Sequence, residues 1–518
     1  DGLWFLSQLD SEFPAATTCL AYRVTGPFDI KALRDAWRVL VNRHDALRTT
    51  LATEDGVPVR RIDAEPLAEL REVDGSDTAE PERLVREAAS AWTRLDHGPL
   101  AHVTVVRLGP AEHLLVLALH GAVADAESTA ILVNELSECY AAITAGRTPE
   151  LAPLPEPGYA GFARWQRERA GSPAWWRMLD WWTSALTPPP PPLELPTDRP
   201  RPAQPSWQGG VLDFEWTDGT GPVITAWAEA MGTTPETVLL AAFQVLLYRL
   251  GGADRVSVGV PVSIRRWQDA GLVGAFENLL AVGADFADRP TFDDHLHRGA
   301  VTARAAHANA EVPFDRVVRV LGVDRDPRRL PLVDATLVRA EQPELRLAGA
   351  QVRAMPVDRR AVHTDLTLTV HEIGDAVTGS LAYRASLFDH DSARRLLDQL
   401  HTLLTAALDQ PGLPVDELPL ENPALVRSVT EAANRIQPVG GDDGLTVTER
   451  VRAFAVQYPD APALAWDGAT VSYGELVREA NAITRALRQN GVLDGAAVAV
   501  RLPQGAHQIA ALLGVLDA

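Results

Sequence analysis

Two periods of apolar spacing alternate along the chain, and together they predict an α/β protein. Thr17 to Val24 reads as a strand. Asp29 then stands before Ile30, Leu33, Trp37, Leu40 and Val41, which share one face at helical spacing, so Asp29 is the expected N-cap. Ala101 to Leu108 and His113 to His120 are apolar runs joined by Gly109-Pro110-Ala111-Glu112, the pattern of an antiparallel hairpin. A helix is predicted from Asp125 to Ala145, with Leu132, Leu136, Cys139 or Tyr140, and Ile143 at helical spacing. Another has Thr234 as N-cap, Pro235 at its first position and Gly251-Gly252 as its stop. Strands are expected at Val256 to Val262, Asp365 to Val370 and Val377 to Tyr383, and a helix from Asp391 to Leu408.

The pattern breaks twice. Pro188 to Pro192 is a run of five prolines, followed by Pro196, Pro200, Pro202 and Pro205. Proline fixes φ and forbids both helix interior and central strand, so this stretch is expected to be a stiff extended linker between two bodies. Periodicity is lost again from Glu421 to Asp443, a second expected linker. From Thr446 the order is helix, strand, helix, strand, helix: Val451 to Gln457, Ala463 to Trp466, Tyr473 to Gln489, Ala496 to Arg501, Gly505 to Leu516. This last part stops inside a helical pattern, as the opening of a larger domain would.

Composition narrows the classes. With 518 residues, 46% hydrophobic and 23% charged, collagen, coiled coil and wholesale disorder are excluded, and several lobes are expected. Only Cys19 and Cys139 are cysteines, which excludes a disulfide framework or a cysteine-based zinc site and suits a reducing cytoplasm; both are expected to be buried small hydrophobes. A net charge of −21 repels phosphate backbones and anionic membranes, so neither nucleic acid nor a membrane is an expected partner. No run of about 18 apolar residues exists and the start does not read as a signal peptide, so a cytoplasmic protein is expected.

Most chemical signatures are missing: there is no GxGxxG, GxxxxGK[ST], HExxH or GxSxG. His371-Glu372 lacks the second histidine of a zincin, and His295 with His297 alternates on an expected helix, so surface positions are predicted for both pairs. One segment stands out: Leu117-Ala118-Leu119-His120-Gly121-Ala122-Val123-Ala124-Asp125-Ala126. An apolar strand ends at His120, small residues turn, and Asp125 opens a helix, a geometry in which strand ends and helix N-termini can meet a ligand. By pattern alone Asp125 equally well only caps its helix, and His120 is a satisfied core histidine.

This segment resembles the HHxxxDG motif of nonribosomal peptide synthetase condensation domains. Other pieces fall in that family's order: Leu3 to Leu9 as the opening motif, Arg43-His44-Asp45-Ala46-Leu47-Arg48-Thr49 as RHxxLRT, and Tyr159 to Gln166 before the first linker. Gly274-Ala275-Phe276-Glu277-Asn278-Leu279-Leu280 and Val312-Pro313-Phe314-Asp315 match two more. Thr470-Val471-Ser472-Tyr473-Gly474-Glu475-Leu476 is similar to the first core motif of an adenylation domain. The resemblance implies a condensation N-lobe at 1–187, an interlobe linker at 188–205, a C-lobe at 206–420, a linker at 421–445 and the start of an adenylation domain at 446–518. It implies two chloramphenicol-acetyltransferase-like α/β lobes in a V-shaped pseudo-dimer around a tunnel. The phosphate loop, aminoacyl pocket and catalytic lysine of an adenylation domain would lie beyond Ala518, so no amino acid activation is expected from this stretch.

The same resemblance implies that upstream donor and downstream acceptor peptidyl carrier proteins bring phosphopantetheine arms to the tunnel, and that the acceptor amine attacks the donor thioester. No cofactor or metal is expected on the domain itself. The site residues carried over are His120, the position of the catalytic histidine at Gly121, and Asp125, whose expected partner in an ion pair is Arg265 of Val262-Ser263-Ile264-Arg265. His120 is expected to be structural, as are His44 and Arg48. Glycine at 121 departs from the family pattern, and Ala126 replaces its last glycine. Three accounts of Gly121 stand open: an engineered change in a working domain, a natural domain that condenses by alignment alone, or a non-catalytic platform that docks a trans-acting enzyme. Trp175, Trp176, Trp181 and Trp182 are expected to pack a helix against both lobes.

Overall fold

The computed structural model describes residues 17–54, 57–64, 70–76, 78, 80–89, 95–324, 326–340, 342–355, 357, 362–434, 444–466 and 469–518. The opening motif, Leu3 to Leu9, lies outside the described residues.

The first lobe begins with β1 (Thr17–Thr25) and α1 (Ile30–Arg43). The Asp29 side chain accepts from the Ala32 N–H at 3.0 Å, capping the helix as its sequence predicts. A separate hairpin follows, β2 (Thr49–Glu54) and β3 (Val57–Ile62), then β4 (Leu70–Asp74) and α2 (Pro81–Ala89). The core hairpin is β5 (Ala101–Gly109) and β6 (Glu112–His120), and α3 (Ala126–Thr144) leaves its end. Strand β6 is buried on both faces. Leu115, Leu117 and Leu119 join the core under α1 and α3, while Leu114, Val116 and Ala118 join a smaller one with Val85 and Ala88 of α2. That alternation is the period of two that a strand imposes.

Helices α4 (Tyr159–Arg169) and α5 (Pro173–Ala185), which the expected boundary at 187 assigns to the first lobe, pack against second-lobe residues: Phe162 joins Leu272 and Phe276, and Trp175, Leu179 and Trp182 join the second core. The second lobe then takes β7 (Gly209–Trp216), α6 (Thr220–Ala230) and α7 (Pro235–Gly251). It continues with β8 (Arg255–Ser263), β9 (Glu277–Asp285), α8 (Phe292–Ala308), α9 (Phe314–Leu321) and β10 (Ala335–Arg339). After β11 (Gln351–Met355) come β12 (Leu366–Ile373), β13 (Val377–Arg384) and α10 (His390–Asp409). Six strands form its sheet in the order β7-β13-β12-β10-β8-β9, with β10 parallel to both neighbours. Helix α7 is buried from Thr237 to Leu247, and Gly252 ends it at φ +68°, a conformation that favours glycine.

Several details differ from the sequence reading. Strand β11 does not stay with the second sheet; it crosses to pair antiparallel with β1 at the edge of the first, giving β11-β1-β6-β5-β4. The proline stretch is irregular but not a free spacer: Leu193 and Leu195 are buried in the second core, and the Leu193 N–H donates to Asp334 at 2.8 Å. Trp175 and Trp182 of α5 are buried in that same core, whereas Trp176 is exposed, so the tryptophans serve one lobe rather than two. His295 is not on the surface: it is 3% exposed and its Nε2 lies 3.2 Å from the Ala241 carbonyl, because Phe286 and α7 close over it. His297 and His371 are exposed. Cys19 and Cys139 are both buried.

Part of the expected second linker is helical, α11 (Pro423–Ala433). The C-terminal unit contains α12 (Val447–Gln457), the antiparallel pair β14 (Pro462–Trp466) and β15 (Ala469–Ser472), α13 (Tyr473–Gln489) and α14 (Ala506–Leu516). Its small core joins Leu476 and Ala480 to Ala510 and Leu513. Thr446 with Glu449 and Ser472 with Glu475 form capping boxes on α12 and α13. The strand expected at Ala496 to Arg501 does not form; those residues are irregular, since no described strand pairs with them. Among the described residues no single helix is long and apolar enough to cross a membrane.

Candidate active site at the seam between the lobes

Strand β6 ends where its last backbone groups are already claimed. The His120 N–H donates to the Leu100 carbonyl at 2.8 Å, and the His120 carbonyl accepts from Val123 and Ala124 at 2.9 and 3.1 Å. These bonds force the chain into a tight turn over 121–124. Side chains at Ala122, Val123 and Ala124 are small enough to allow it. The His120 ring holds the turn from inside, its Nδ1 accepting from the Ala122 N–H at 3.0 Å. Burial pushes this imidazole down to about 4, so it is neutral, and with Nδ1 occupied its proton resides on Nε2. His120 is therefore a brace and has no free basic nitrogen. Gly121, beside it, is half-buried and brings neither a base nor a donor beyond its backbone.

Asp125 ends the turn and caps α3. Its Oδ1 accepts from the Ser128 N–H at 2.7 Å and from the Ser128 hydroxyl at 2.5 Å. Its Oδ2 accepts from the Phe276 N–H at 3.1 Å, and its own N–H donates to the Gly274 carbonyl at 3.1 Å. Arg265 completes the set, with Nη2 at 2.9 and 3.2 Å from the two carboxylate oxygens. Both side chains are almost wholly buried, 3% and 2% exposed. The guanidinium is further held by the Leu272 carbonyl at 3.2 Å, by Glu127 3.1 Å from Nε, and by the Phe276 ring 3.9 Å below it. A carboxylate so surrounded is a structural cross-link: one lobe's helix cap is the other lobe's counter-ion. Its loss would strand a buried guanidinium.

The neighbouring motifs complete this seam. The Tyr159 hydroxyl donates to the Ala275 carbonyl at 2.9 Å, and burial pushes it up to about 12. Gly274 must be glycine here, because a Cβ would stand 2.2 Å from the Tyr159 ring. Phe162 packs 4.6 Å from Phe276, and Arg266 lies 4.3 Å over Trp165. Asn278 donates to the Ala310 and Val312 carbonyls at 2.8 and 2.7 Å and accepts from the Phe314 N–H at 3.1 Å, tying two of the sequence motifs together. His44 and Arg48 stand elsewhere. His44 is buried 2.7 Å from Glu135, and Arg48 donates to the Asp63 carbonyl at 2.9 Å and pairs with Asp45. Both brace the first lobe.

The motif pattern omits two residues that the seam uses, Ser128 and Glu277. Ser128 sits one turn into α3, the position that an N-cap aspartate serves, so its role is legible from spacing. Glu277 carries no signal until β9 is placed: its Oε1 accepts from the Ala126 N–H at 3.4 Å, across the seam. Crowding by protein, then the charge of Asp125, raises its carboxyl above the usual carboxylate range, although its surface remains open to solvent. Among the described residues no group of three or more His, Cys, Asp or Glu side chains could hold a metal ion.

Two α/β lobes joined at a strand–turn–helix with an HxxxxD spacing define the condensation class of chloramphenicol-acetyltransferase-like folds. Residues 1–426 match the Condensation domain model and residues 451–518 match the AMP-binding enzyme model, so the chain belongs to the condensation-domain family of the nonribosomal peptide synthetases. It is 36% identical over 533 residues to phosphinothricin tripeptide synthetase PhsB of Streptomyces viridochromogenes, covering 100% of this chain and 44% of that protein. It is 32% identical over 536 residues to chondramide synthase cmdD of Chondromyces crocatus, covering 100% of this chain and 13% of that one. The chain thus spans less than half of these relatives. Among solved structures, the X-domain from teicoplanin biosynthesis superposes with a TM-score of 0.73 at 27% identity, over 81% of this chain and 95% of that one. The four-domain synthetase AB3403 shares the fold over 99% of this chain and 40% of its own, with a TM-score of 0.81 at 21% identity.

Proposed function

We propose that this chain's condensation unit joins a donor acyl or peptidyl thioester to the amine of an acceptor aminoacyl thioester, each carried on the phosphopantetheine arm of a peptidyl carrier protein. The observation that supports it best is the intact clamp beneath the motif loop. Asp125, Arg265, Ser128, Gly274 and Phe276 hold the turn across the seam, although position 121 lacks a base. In the reaction the amine nitrogen forms a C–N bond, the C–S bond breaks, and the sulfur leaves as a thiol. Two tethered reactants held in register can supply about 7 to 11 kcal/mol of the barrier, against the roughly 10²- to 10⁴-fold typical of a general base. Alignment is the larger part, and a site without a histidine at 121 keeps it.

A second reading makes the domain a docking platform for a trans-acting enzyme. Gly121 favours it, as does the 27% identity to the teicoplanin X-domain, a domain also solved in complex with OxyB. Donor and acceptor substrates loaded on carrier proteins, with product read by mass spectrometry, separate the two. Amide product supports condensation. No product, with a trans-acting enzyme retained in a pull-down, supports the platform.

A further inference from the structure

Condensation at this seam leaves one proton without a recipient. A tethered amine arrives largely as ammonium at neutral pH, and only the free base attacks a thioester. Gly121 offers no acceptor, His120 is occupied at Nδ1, and Asp125 is saturated by hydrogen bonds from Ser128, Phe276 and Arg265. His44 is spent on Glu135 in the first lobe, and Glu127 on Arg265. The remaining carboxylate at the motif is Glu277, at the first position of β9.

Three structural facts distinguish it. Its Oε1 receives the Ala126 N–H at 3.4 Å, so it stands across the seam at the start of α3, one residue past Asp125, where the motif turn ends. Among the described residues it makes no ion pair: Arg265, the nearest cation, already gives Nη2 to Asp125 and Nη1 to the Leu272 carbonyl, and sets Nε against Glu127. It is also exposed to solvent, unlike Asp125, and so open to a molecule arriving from outside. The charged groups that act on it are Asp125, the cap of α3, and Arg265 after β8, whose guanidinium is already paired with Asp125. An unpaired carboxylate beside another carboxylate works against folding, so its place in the seam calls for a cation from outside the chain. The ammonium of an acceptor amino acid has that charge.

We infer that Glu277 receives the acceptor's ammonium and takes its proton, serving as the base that position 121 lacks; this rests on the condensation reading. One proton of the ammonium passes to the Glu277 carboxylate, freeing the nitrogen pair. That pair forms the C–N bond as the C–S bond breaks. The second proton leaves with the sulfur as the carrier's thiol, and Glu277 returns its proton to water. The raised affinity of Glu277 for a proton brings it nearer to the amine it must relieve. The Ala126 N–H, at the N-terminus of α3, steadies the anionic form before each turnover.

The experiment compares the full chain with Glu277→Gln, Gly121→His and the double variant. Donor and acceptor carriers are loaded, and initial rates are read by intact-protein mass spectrometry over a series of pH values on both sides of neutrality. Glu277→Gln should lose about 10²-fold in rate, as removal of a general base does, and should flatten the acidic limb of the pH profile. Adding Gly121→His in that background should restore rate, with a limb now set by the histidine. Glu277→Gln should also melt no lower than the parent, since it removes an unpaired charge. Parent-like rate and profile in a folded Glu277→Gln variant would overturn the assignment while leaving condensation standing. A parent that forms no amide at any pH would instead overturn the condensation reading, and this inference with it.

Discussion

At the scale of single residues, Asp125 and His120 are both buried beside Gly121 and both structural. Asp125→Ala or Arg265→Ala removes one half of a buried, hydrogen-bonded ion pair, and each should cost about 3 to 5 kcal/mol in urea unfolding. An unchanged midpoint in either variant would show that the pair does not hold the seam. The buried histidines give a pH signature. His120 and His295 are both pushed down to about 4 by burial, so the unfolded chain, near 6.5, binds protons that the folded chain refuses. Their contribution is therefore fully present above about pH 6.5 and is lost progressively as pH falls toward about 4. Denaturation measured across that window should show a slope that weakens in His120→Gln and His295→Gln, and an unaltered slope would contradict the neutral assignment. The sequence exposes the His120–Asp125 spacing through its motif. It does not show that His295 is interior, because helical alternation with His297 looks the same on any face until α7 is packed against it.

Elements with strong local signals are legible in the sequence, and those that depend on distant partners are not. Helix α3 follows from Asp125 and its apolar spacing, and α7 from Pro235 at one end and Gly252 at the other. Strand β11 has a mostly exposed pattern and holds its place only by pairing with β1, from Ala21 with Met355 to Thr25 with Gln351. No local rule predicts such a partner. Ala496 to Arg501 shows the converse: an apolar stretch with strand character stays irregular where no described strand pairs with it. Helix α11 escapes the pattern because Val426 and Val429, among its described side chains, face solvent. The seam makes a demand at this scale as well. Gly274→Ala would drive a Cβ against the Tyr159 ring, with Phe276 3.0 Å away on the other side, so overpacking should cost about 1 to 3 kcal/mol. Stability equal to the parent would mean that Tyr159 can withdraw, and that its bond to Ala275 is dispensable.

At the scale of the whole first unit, the lobes are fastened at two places. One is the Asp125–Arg265 seam. The other is the segment from 342 to 355, where Gln342 donates to the Ala21 carbonyl at 3.0 Å, the Tyr22 hydroxyl donates to the Pro343 carbonyl at 2.8 Å, and Leu345 and Leu347 are buried in the first lobe's core before β11 adds its strand. Two fixed points keep the motif turn at a constant place relative to β9, which is what alignment of tethered reactants requires. The charge of −21 over the chain gives no help to a polyanion. The central claim is that this fastened seam forms an amide bond without a histidine at 121. It is tested most directly by mixing the parent chain with loaded donor and acceptor carriers and following the acceptor carrier's mass with time. The acceptor should gain an acyl or peptidyl mass, faster than without the chain, and faster again in Gly121→His. An acceptor mass that stays unchanged with the parent, with both carriers fully loaded, would contradict the claim.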